Sequence, residues 1–190
     1  MRHVPRVDPV ITELITLVDA GGGANAIDAL AEVVQNAAGN VGEAAREKTL
    51  NLVSETFRSS GGDGKQSSHP SSYDCSYIIL DGTLQSVAAL VASMANVWPA
   101  ELLSPLVDAH LVYGTPASLL SSHTILALLD EDLTTEPGKL FTDLGDDILR
   151  SVAQKTIESA GSDRPGIARP AREARDLLKN MSHPELDGLF

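Results

Sequence analysis

Residues 83–98 read Thr-Leu-Gln-Ser-Val-Ala-Ala-Leu-Val-Ala-Ser-Met-Ala-Asn-Val-Trp, and this stretch decides the fold. Its larger apolar side chains recur every three or four residues, which is the period of an α-helix. Its Ala and Ser residues let neighbouring helices approach closely. Pro99 ends the pattern, because the residue before a proline avoids the helical region. We therefore expect a central helix here, more buried than any other element.

Three amphipathic helices, separated by glycines, are predicted ahead of this stretch. Asp8 is the expected N-cap of the first, with Pro9 at its first helical position. Asn25 is the expected cap of the second. Asn40, with Glu43 three residues later, is typical of a capping-box variant at the start of the third.

A Ser/Gly-rich segment, residues 58–72, follows the third helix and holds no side chain that can anchor a core. Such composition predicts a mobile surface loop. Residues 77–80, Tyr-Ile-Ile-Leu, are interpreted as a lead-in to the central helix, because a single isolated strand has nothing to pair with.

Helix start and stop signals continue on the C-terminal side of residue 98. Short helices are expected from Pro105 to Gly114 and from Pro116 to about Leu129. Each begins at the proline of a Ser-Pro or Thr-Pro pair. Residues 130–138 are an acidic connection, and Asp143 or Gly145 opens a helix that ends at 161. Residues 162–170 are interpreted as a Pro/Gly linker, followed by a last helix at 171–181.

The predicted fold class is therefore all-α, a compact multi-helix bundle of about eight helices with no credible sheet. We expect a helical domain at residues 7–161, with the mobile loop at 58–72 inside it. Residues 162–190 are expected to form a linker and a C-terminal amphipathic arm.

The composition restricts the function. Among 190 residues there are 14 Lys and Arg against 26 Asp and Glu, so the formal net charge is −12. This charge disfavours a dedicated nucleic-acid binder, which needs clustered cations. Cys75 is the one cysteine, so no internal disulfide is possible. Neither a signal peptide nor a membrane segment is predicted, and we expect a cytoplasmic or otherwise intracellular protein.

No catalytic or metal-binding motif is complete in the sequence. The Gly-Lys pair at 64–65 lacks the flanking residues of a phosphate loop. A calcium loop starting at Asp130 would need Gly and Glu where the chain has Thr135 and Phe141. Cys75 and His69 form the one candidate nucleophile–base pair, without an evident third residue to orient them. We therefore expect no cofactor and no metal, and we predict that the protein is not an enzyme.

The C-terminal region holds the strongest functional signal, because basic residues cluster there in an otherwise acidic chain. It is interpreted either as an arm that docks on an acidic neighbour, in cis or from another subunit, or as an ordinary last helix. The predicted interaction residues are Arg164, Arg169, Arg172, Arg175, Leu177, Leu178, Lys179, Met181, Leu189 and Phe190.

Three functions are compatible with these patterns. The first is a non-catalytic interaction or structural protein that acts through helix surfaces and self-associates, forming a homo-oligomer or binding a protein partner. The alternative is a coat or nucleocapsid type of subunit that assembles on nucleic acid through the basic C-terminal stretch. The third is an enzyme or ligand-binding bundle with an inter-helix pocket near His110, His123 or Trp98.

Overall fold

A computed structural model describes residues 7–37, 40–61, 73–102 and 119–190 of the chain. Eight α-helices and one 3₁₀ helix lie within these ranges, residues 99–102 are helical as well, and no strand occurs there. The helices are α1 (Asp8–Asp19), α2 (Gly23–Ala37), α3 (Glu43–Gly61), α4 (Tyr73–Val97), α5 (Leu119–Leu129), α6 (Lys139–Leu144), α7 (Asp146–Ala160) and α8 (Pro165–Asn180), and the 3₁₀ helix is Pro184–Leu186. The all-α prediction is confirmed.

Helix α4 lies at the centre of the bundle, between α2 and α5. Seven of residues 86–97 are buried, with Val91 and Met94 fully inaccessible to solvent. Helix α5, with eight of its eleven residues buried, is more buried than this half of α4, contrary to the prediction. The small residues Ala88 and Ala92 are buried as well, as expected for a helix that two neighbours approach closely. The helix begins at Tyr73 rather than at residue 83, so the predicted lead-in at 77–80 is itself helical.

One contiguous core joins the two sides of the bundle. Buried side chains from α1, α2 and α3 belong to the same cluster as those from α4, α7 and α8. Residues 58–61, predicted as part of the loop, instead form the last turn of α3, and residues 62–72 lie outside the described ranges. Among the described residues, no helix is both long enough and apolar enough to cross a membrane.

All three predicted helix caps are wrong. Asn25 lies inside α2, which begins at Gly23. Val7, not Asp8, is the N-cap of α1, since the Ile11 N–H donates to the Val7 carbonyl. The Asp8 carboxylate instead accepts a 2.7 Å hydrogen bond from the Gly42 N–H, which links α1 to the start of α3. Gly42, not Asn40, precedes the first turn of α3, because its carbonyl accepts the first helical hydrogen bonds. A tertiary contact explains the cap of α3. The Gly42 N–H at the start of α3 has no partner within its own helix, and the carboxylate of Asp8 on α1 satisfies it.

Helix α6 was not predicted at all. The acidic connection at 130–138 ends at Gly138, which has a positive φ of 73° and accepts hydrogen bonds from the N–H groups of Phe141 and Thr142. Gly145, with φ of 117°, separates α6 from α7, as predicted for the start of that helix. Glycine adopts these backbone angles at low cost. Helix α6, which lies between these two glycines, buries the Phe141 ring completely.

The predicted linker at 162–170 is largely helical, because α8 begins at Pro165 and contains Pro170. Proline is favoured in a first turn but costs about 3 kcal/mol inside a helix. Burying the apolar face of α8 outweighs this cost, since each fully buried Leu or Ile contributes about 1.5–3 kcal/mol. The predicted helix at 105–114 lies outside the described residues, and so do the first three residues, 116–118, of the helix predicted from Pro116.

Candidate interaction surface

The inner face of α8 is part of the core. Ala174 and Leu178 are fully buried, and α8 packs against both α5 and α7. The C-terminal segment is therefore not a detached arm, and it forms the ordinary last helix that was the second interpretation. Leu178, predicted as an interaction residue, is unavailable to a partner in the folded chain.

Small side chains bring α5, α7 and α8 close together. The space between them leaves no room for a water molecule. Its lining residues are Ser122, Ile125, Thr156, Ser159, Ala171 and Ala174. These three helices are therefore closely packed here, without a ligand-sized cavity at this junction.

Two of the three residues named for an inter-helix pocket lie in the described ranges, Trp98 just after α4 and His123 on α5. Trp98 is buried, and the Arg46 guanidinium lies 5.7 Å from the centre of its ring. Arg46 also forms an ion pair with Glu101, and this contact joins α3 to the segment that follows α4. His123 is half-buried on α5, while His110 lies outside the described ranges.

The outer face of α8 carries a row of cations, which we call the basic edge: Arg169, Arg172, Arg175 and Lys179. Three of them, at positions 172, 175 and 179, have the i, i+3, i+7 spacing that places side chains on one side of a helix. Arg175 is half-buried and the other three are exposed. The helix thus buries its apolar side and presents positive charge to solvent.

Each arginine of the basic edge has a local partner. Arg172 Nε donates to the Ala160 carbonyl, at the C-terminal end of α7, over 3.1 Å. Arg169 pairs with Glu173 at 3.3 Å, and Arg175 with Asp176 at 2.8 Å. Exposed pairs of this kind contribute at most about 1 kcal/mol, so an incoming carboxylate can replace them. Within the described ranges, Lys179 and Arg164 form no ion pair.

The apolar residues predicted beside these cations are divided between the core and the surface. Leu177 and Phe190 are 37% and 40% exposed. Leu189 packs against the core, and so does Met181, whose side chain lies where a Cβ on Gly138 would be. Leu177 is therefore the one exposed apolar side chain within α8 itself.

A second surface, which sequence reasoning missed, lies on α1. Val10 and Leu17 are 46% and 48% exposed, and Leu14 between them is half-buried. Their i, i+4, i+7 spacing places them on one face, which we call the α1 stripe. Ile11 is the only fully buried residue of α1. The available signal was that the apolar residues of α1 cover more of its circumference than one packing face needs.

The N-terminal helices α1 and α2 are acidic as a pair. Residues 7–37, which include α1 and α2, contain five Asp and Glu and neither Lys nor Arg. Four of these acids, at positions 13, 19, 28 and 32, are exposed and form no ion pair with other described residues. Arg2 and Arg6 precede this region and lie outside the described ranges. The structure thus places an acidic, partly apolar surface on α1 and α2.

The chemistry-bearing residues do not assemble into a metal site in the described part of the chain, where no group of three His, Cys, Asp or Glu could hold an ion. Cys75 lies in the first turn of α4, while His69 is outside the described ranges. His183 approaches Asp146 at 3.8 Å and accepts a hydrogen bond from the Glu185 N–H through Nδ1.

Lys155 is the one buried lysine of α7, and burial lowers the pKa of its ammonium group from the ordinary 10.5, with Glu158 acting in the opposite direction. The folded chain therefore releases this proton at a lower pH than the unfolded chain. The free energy of unfolding should rise as the pH increases through the lowered pKa towards 10.5, and it should be insensitive to Lys155 below that window.

The variant Lys155→Met, which keeps a long flexible side chain without the charge, should lose this rise. Urea unfolding of both proteins, at several pH values between neutral and 10.5, measures the difference. The two stability curves should converge as the pH approaches 10.5. Curves that stay parallel throughout would contradict the assignment to Lys155.

Comparisons of the chain with protein-family models, with curated proteins and with solved structures found no match.

Proposed function

We propose that this protein is a non-catalytic helical interaction or structural protein that acts through exposed helix surfaces and self-associates. The observation that carries the proposal is the separation of charge along the folded chain. Residues 7–37 hold five acids and no Lys or Arg, whereas residues 164–179 hold five cations and two acids. Complementary charges of this kind steer association and fix its orientation.

The basic edge is suited to such contacts because it lies on a rigid support. Its helix is fixed by a buried apolar face, and Arg172 is further held by the Ala160 carbonyl. A partner that binds there need not order a flexible segment, so less conformational entropy is lost on association.

Substitution of Lys179 tests the proposal. We expect the wild-type chain to elute above its monomer mass of 20.0 kDa in size-exclusion chromatography with light scattering. Lys179→Glu should weaken this self-association about 3–10-fold, since one interfacial charge is reversed. The matched control is Lys48→Glu, which makes the same charge change at an exposed position of α3.

A wild-type chain that is monomeric at all concentrations would refute self-association. Equal effects of the two substitutions would show that only the net charge matters, and not the basic edge.

A second candidate function is assembly on nucleic acid, favoured by the exposed cations Arg169 and Lys179 on α8 and Arg164 at its N-cap. The net charge of −12 counts against it. The same chromatography separates the two functions when absorbance is recorded at 260 and 280 nm. A large particle with excess absorbance at 260 nm that nuclease removes would favour nucleic acid.

A further inference from the structure

We draw no further inference here: the strongest candidate, the α1 stripe formed by Val10, Leu14 and Leu17, is an exposed apolar helix face, and nothing in the described part of the chain shows what covers it.

Discussion

Replacing Leu178 by alanine is expected to lower the free energy of unfolding by about 2–5 kcal/mol, the cost of deleting a fully buried leucine side chain. Leu178 is completely inaccessible to solvent and belongs to the main core cluster, which extends from α1 to the 3₁₀ helix. The surrounding helices α5 and α7 are already closely packed by small residues. They have little freedom to collapse into the space left by the side chain.

The matched control is Leu177→Ala, because it is the same substitution at the adjacent position, on the outer face of α8. Its side chain is 37% exposed, and Leu177→Ala should change the free energy of unfolding by no more than about 1 kcal/mol. Chemical denaturation followed by circular dichroism measures both values. Equal small effects would mean that α8 is not docked on the bundle.

Replacing Phe141 by alanine should be comparably severe, with a loss of about 3–5 kcal/mol. The ring is fully buried although its helix, α6, has only six residues. A helix this short is not stable alone, so its conformation depends on the packing of this ring. The substitution therefore removes both a large core side chain and the contact that holds α6.

The control for Phe141 lies in the turn just before it. Leu133 is 42% exposed, and Leu133→Ala should shift the unfolding midpoint little. Thermal unfolding and near-ultraviolet circular dichroism together measure stability and aromatic packing. A Phe141→Ala protein as stable as wild type would contradict the placement of α6.

We propose separate roles for the two faces of α8. Substitutions at Leu178 should reduce stability, whereas substitutions at Lys179 should reduce association without unfolding the chain. A variant can therefore be assigned to one class by comparing its unfolding curve with its mass in solution. The adjacent positions make the separation unusually clear, because neighbouring residues of a helix point about 100° apart.

The sequence by itself determined the local features of this protein. Apolar side chains recur with a 3.6-residue period within each of these segments. This period predicted α1, α2, α7 and the buried centre of α4. Glycine at 145 and 161 marked helix boundaries, and at Gly145 the φ of 117° is one that glycine adopts at low cost. The basic composition of residues 164–179 was also evident from the sequence alone, because charge is a property of the residues themselves.

Only the tertiary structure decided where those segments pack. Contacts with α5 and α7 stabilise α8 from Pro165 onward in spite of Pro170, which local rules placed in a linker. Burial of Phe141 forms α6, and a carboxylate from α1 occupies the start of α3. The exposure of the α1 stripe was likewise invisible in the pattern, because which of several apolar faces a helix buries depends on its neighbours. Such contacts join residues far apart in the chain, and their free energy is absent from any local window of sequence.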